Sequence, residues 1–190
     1  MKTSAEVLVG GALRVEKKVW VQALWIAGFA AATAAGARLE IPHEPVPFTL
    51  QTAVVLLAGA FLGARNGALS QLLYLAFGVL GAPVFAGGAA GVLILFGPTG
   101  GYLLAFPLAA AIVGSLVQQR HSLLWTLLAM ASALIVIFAA GTAQLYAYML
   151  HDGKGALISG FLLFTWWDLL KLGAAGMLYH ELGKRWPRVP

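Results

Sequence analysis

The chain has 190 residues, enough for one domain; 61% of them are apolar and only 10% charged, against about 25% charged in average soluble domains. With a mean hydropathy of +0.86, this composition excludes a soluble globular protein and defines an integral membrane one. The net charge of +5 comes from Lys and Arg at the chain ends and in short turns, a membrane-topology pattern rather than the aromatic-interleaved basic patch of a nucleic-acid surface.

No stretch alternates with the period of two that a membrane barrel requires, so the spans are helical. The expected architecture is one all-α membrane domain over residues 1–190. It has a leader at 1–18, a six-helix bundle at about 19–183 and a tail at 184–190. The leader carries Arg14, Glu16, Lys17 and Lys18 and is expected at the membrane surface, with a short interfacial helix over residues 5–13. Ala35, Gly36 and Ala37 resemble a cleavage site, but further spans follow, so the first helix is read as retained.

The first span is expected at residues 19–35. Ala23, Ala27, Ala31 and Ala35 recur at every fourth position, a ridge of small residues that lets a second helix approach closely. It is a partner-docking face, an internal packing seam or simply an Ala-rich helix. Residues 36–47 hold Pro42, Pro45 and Pro47, which break the helix and favour extended backbone. Thr49 is the expected N-cap of a second span over residues 50–62, with Gln51 in its first turn facing a cavity. A tight turn at residues 63–67 leads to a third span ending near residue 80.

Residues 81–101 are apolar but laced with Gly and Pro. Irregular backbone at membrane depth survives only where protein buries it or where it lines a cavity, and Gly87, Gly88 and Gly91 permit close backbone approach. A fourth span follows at about 102–117. A fifth ends near residue 150 with Gln144, Tyr146 and Tyr148 at its polar end, and a sixth covers residues 156–179.

That last span carries Asp168 and Lys171. Each charge costs about 2.5–3.5 kcal/mol at the centre of a membrane helix on insertion scales. Spaced three apart they share one helix face, beside Phe164 and Trp167. The pair is read as a buried polar-ligand, ion or proton site, or else as a self-neutralising ion pair that fixes packing.

Six spans with both termini on one side place nine basic residues there: Lys2, Arg14, Lys17, Lys18, Arg65, Arg120, Lys184, Arg185 and Arg188. The other side holds Arg38 and Lys154. The positive-inside rule puts both termini in the cytoplasm, so the Pro-rich and Gly-rich segments converge on the external face above Asp168 and Lys171. No Walker A motif occurs, nor the short motifs of Ser hydrolases or zinc proteases. The absence of Cys excludes disulfides and thiolate chemistry, and no two of the four His residues stand at metal-ligand spacing. The chain is therefore expected not to be an enzyme.

Four segments resemble the BioY family, the biotin-specific S components of energy-coupling factor (ECF) transporters. They are Pro-Val-Pro-Phe-Thr-Leu-Gln-Thr at 45–52, Gly-Ala-Pro-Val-Phe-Ala-Gly-Gly at 81–88, Phe-Gly-Pro-Thr-Gly-Gly-Tyr at 96–102, and Asp168 with Lys171. The resemblance spans residues 23–178. It implies a multi-pass prokaryotic cell-membrane subunit that captures biotin from outside, without a cofactor. It also implies a transmembrane T component and two ATPase subunits as partners, with the face of Ala23, Ala27, Ala31 and Ala35 docking on the T component. Asp168 would accept from a ureido N–H and Lys171 donate to the ureido oxygen. Phe85, Tyr102, Phe164 and Trp167 would form the apolar wall. Gln51 and Gln144 would add polar contacts, and backbone at Gly87 and Gly88 would serve where some members carry a polar side chain. The ligand's carboxylate is expected near loop amides or Arg38, with residues 38–47 moving as a lid. A stand-alone biotin carrier and an S component for another vitamin are the alternatives.

Overall fold

The structure is a computed structural model that describes residues 4–120, 122–149, 152–162 and 165–183. Its first element, α1, runs without a break over Ser4–Arg38, a length of about 52 Å at 1.5 Å per residue. The leader expected as a separate interfacial piece is thus the start of the first helix, because no proline interrupts the chain before Pro42. Beyond α1 two short strands pair antiparallel. They are β1 (Glu40–Ile41) and β2 (Phe48–Thr49), with Glu40 opposite Thr49 and Ile41 opposite Phe48. Their turn contains the three prolines and a cis Glu44–Pro45 peptide. Two-residue strands carry no readable periodicity, which is why a plain loop was expected.

Helix α2 (Gln51–Val79) reverses at Gly63, where φ is 79° and ψ 178°. That left-handed φ suits glycine and strains any other residue. The arms on either side run back along each other, so the Gln51 amide donates to the Tyr74 hydroxyl at 2.6 Å. In a straight helix those residues would lie about 34 Å apart. The arms match the expected second and third spans, with the turn condensed into one residue. Leu50, not Thr49, occupies the N-cap position, and no side chain caps the helix.

Residues 81–99 stay irregular apart from two 3₁₀ turns, Ala86–Gly88 and Val92–Phe96. Helices α3 (Gly100–Val117) and α4 (Leu123–Tyr148) follow, the latter capped by Ser122, whose hydroxyl accepts from the Trp125 N–H. The last expected span is not a uniform α-helix in its described residues. A short α5 (Gly153–Leu157) passes into a π-helical turn (Ile158–Leu162), and α6 (Thr165–Gly183) completes it.

Among the described residues, five stretches are long and apolar enough to cross a membrane, counting α2 once and α5 through α6 once. Small residues set their spacing. A Cβ on Gly59 would strike the Ala110 carbonyl of α3, and one on Gly101 the Ala140 carbonyl of α4. Tyr74, Met130, Ile137 and Leu145 are fully buried between these helices. Helix α1 turns Ala30, Thr33 and Ala37 inward. Thr33 bonds to the buried Gln71, whose amide also donates to Ser70. A polar group removed from water costs less when bonded, so this chain of three ties α1 to the second arm of α2. Ala23, Ala27, Ala31 and Ala35, on a flanking face of α1, are exposed.

Candidate functional site

Asp168 lies in the first turn of α6, where the helix dipole favours a negative charge. Lys171 stands one turn on, with its Nζ 2.7 Å from Asp168 Oδ1. The N-terminal end of α2 packs against both. The Thr52 hydroxyl donates to Asp168 Oδ1 at 2.8 Å. Lys171 Nζ donates to the Thr49 carbonyl at 2.8 Å and to Thr52 Oγ1 at 3.0 Å. The pair is therefore partly self-neutralising, as one reading of the sequence had it. Its saturation stops short at one atom: Asp168 is 2% exposed, and its Oδ2 has no protein partner.

Asp168 and Lys171 line a cavity of about 180 Å³ whose other walls are mainly apolar. Tyr102 and Phe106, one turn apart on α3, and Phe138 of α4 form one side. Phe85 forms another. It is 1% exposed, packs edge-on against Tyr74 at 5.6 Å between centroids, and lies where a side chain on Gly78 would sit. The Tyr102 hydroxyl donates to the Gly160 carbonyl at 2.8 Å, so the cavity wall also anchors the π turn before α6. Val46, Pro47, Thr49 and Gln51 close the end formed by β2 and α2.

Of the residues expected at the site, Asp168, Lys171, Gln51, Phe85 and Tyr102 converge on this cavity. Gln51 arrives with its amide already engaged, accepting from Thr49 Oγ1 at 2.9 Å and donating to Tyr74. Four others do not line it. Gly87 and Gly88 are replaced in the wall by their neighbours Ala86 and Ala89. Gln144 donates to the Leu95 and Gly97 carbonyls, both at 2.8 Å; it secures the irregular segment instead of facing a ligand. Trp167 is 51% exposed and borders a separate open groove of about 530 Å³ between the β-hairpin and α6. Phe164 lies outside the described residues. Arg38 is drawn to the Pro83 carbonyl, and Glu40 accepts from the Gly87 N–H at 2.8 Å, so neither side chain enters the cavity.

Thr52, Thr99, Phe106 and Phe138 were not foreseen. Phe106 carried a signal, standing four residues after Tyr102 on the same helix face. Thr52 lay inside the run at 45–52, but nothing in one sequence pairs it with a residue 116 positions away.

These features define a class: a polytopic helical membrane protein enclosing a small, mainly apolar ligand cavity with one charged pair. The chain belongs to the BioY family, which it matches over residues 8–188. It is 40% identical over 156 residues to the biotin transporter BioY of Thermotoga maritima, covering 82% of this chain and 92% of that one. It is 39% identical over 157 residues to a probable biotin transporter BioY of Pyrococcus horikoshii, covering 83% and 93%. A crystal structure of the S-component for biotin from an ECF-type ABC transporter matches with a TM-score of 0.82 at 26% identity, over 89% of this chain and 93% of that one.

Proposed function

We propose that this chain is a biotin-binding S component, a multi-pass subunit of a prokaryotic cell membrane that takes up biotin. The observation that carries the reading is Asp168 Oδ2, a buried carboxylate oxygen without a partner in a mainly apolar cavity. Biotin presents a ureido ring with two N–H donors and one carbonyl, an apolar thioether ring and an aliphatic tail. A ureido N–H bonded to Oδ2 makes a charge-assisted hydrogen bond of the strong kind. Lys171 reaches the ureido oxygen by giving up the Thr49 carbonyl, the one backbone acceptor among its three partners. Phe85, Tyr102, Phe106 and Phe138 supply the apolar wall that small-molecule sites use.

The two arms of α2 cross the membrane separately, giving six spans with both termini in the cytoplasm and the cavity facing outward. The chain has no cofactor and no ATPase chemistry of its own. Energy comes from a T component and two ATPase subunits, and the exposed ridge of Ala23, Ala27, Ala31 and Ala35 is the face on which the T component packs.

Calorimetric titration of the detergent-purified chain tests the substrate, with thiamin and riboflavin as controls. Saturable binding of biotin alone is expected. A folded sample that binds none of the three, or binds another vitamin instead, overturns the assignment.

A further inference from the structure

The cluster at the cavity end has more bonds than an ion pair needs, and their count is informative. A hydroxyl has one proton to donate and an ammonium three. The Thr52 proton goes to Asp168 Oδ1, and the three Lys171 protons go to Asp168 Oδ1, Thr52 Oγ1 and the Thr49 carbonyl. Every donor of the cluster is thus committed, and both bonds to the carboxylate fall on the same oxygen. What is left over is Oδ2 alone.

We infer that Thr52 is a specificity-determining positioning residue: it decides which oxygen of Asp168 the ligand meets. A carboxylate can turn about its last bond to share donors between both oxygens. Thr52 and Lys171 approach Oδ1 from two different elements, the start of α2 and the next turn of α6, and hold the plane still. The site then offers a single fixed acceptor and selects a ligand that brings an N–H to that point. Without the hydroxyl, Lys171 is the only group orienting the carboxylate, and Oδ1 and Oδ2 become interchangeable. Thr52 acts through Asp168 and makes no bond to the ligand itself.

This rests on the biotin reading, so biotin binding by the unsubstituted chain is measured first; a chain that binds none fails that reading before any variant is compared. Thr52→Val keeps the shape of the side chain and removes its hydroxyl, whereas Thr52→Ser keeps the hydroxyl. Affinities come from competition with radiolabelled biotin on purified, thermally characterised protein. Thr52→Val is expected to weaken binding at least tenfold, chiefly through faster release, with Thr52→Ser within threefold of the parent. In an Asp168→Asn background, adding Thr52→Val should cost less than threefold more, because residues acting through one another are not additive. The inference is overturned if Thr52→Val binds like the parent, if Thr52→Ser is as weak as Thr52→Val, or if Thr52→Val repeats its full loss on top of Asp168→Asn. Where Asp168→Asn binds too weakly to measure, the contrast between Ser and Val at position 52 decides alone.

Discussion

Gln144 shows how one polar side chain in an apolar helix can have two candidate tasks. Its amide suggested a ligand contact, and the structure instead gives it two backbone carbonyls of the irregular segment, Leu95 and Gly97. The reason is general: carbonyls outside a helix at membrane depth need donors from protein. Replacement by leucine keeps the bulk and takes this donor from the Leu95 carbonyl, while the Gly97 carbonyl keeps the Gly100 N–H. At about 1–3 kcal/mol for a buried polar group left unsatisfied, Gln144→Leu should lower thermal stability clearly. A direct ligand contact would show the opposite pattern, with affinity lost and the melting temperature unchanged. Asp168 and Lys171 were legible for the complementary reason, since ionisable groups inside a span need a compensating cause. Thr52 was not legible. A threonine near a helix start is ordinary, and only the fold brings it to α6.

At the level of elements, the helices were read from the sequence wherever apolar runs are bounded by glycine, proline or charge. Helix α3 begins and ends within two residues of expectation, and α4 ends within two. The misreadings fall where hydrophobicity is blind. The π turn after α5 lies inside a mainly apolar run, so composition could not reveal the turn that Tyr102 holds at Gly160. The α1 ridge was legible as a pattern but ambiguous as a surface, and its exposure speaks against an internal seam while leaving a docking face or a merely Ala-rich helix. Close helix approach in lipid depends on small side chains. Ala27→Leu and Ala31→Leu should therefore abolish copurification with a T component and its ATPase subunits, leaving biotin affinity within about twofold of the parent. Retained copurification would move the docking face elsewhere.

For the molecule as a whole, charge placement carries the orientation. Topology follows the excess of Lys and Arg in short cytoplasmic loops, and Arg65 and Arg120 both fall on the side assigned to the termini. The chain contains no cysteine, so a single introduced thiol reports without background. In intact cells a membrane-impermeant maleimide should label Lys154→Cys at once and Arg120→Cys only after permeabilisation. Labelling in the reverse order would invert the subunit and turn the cavity towards the cytoplasm.

The bonds from Arg38 to Pro83 and from Gly87 to Glu40 join two segments that the chain order keeps far apart. The end of α1 with β1 and the Gly-rich stretch are thereby fastened at two points, and both neighbourhoods wall the cavity, through Val46 and Pro47 on one side and Phe85, Ala86 and Ala89 on the other. On the function proposed above, release of a bound ligand past these segments is expected to require both fastenings to part, which would lengthen the time the ligand stays.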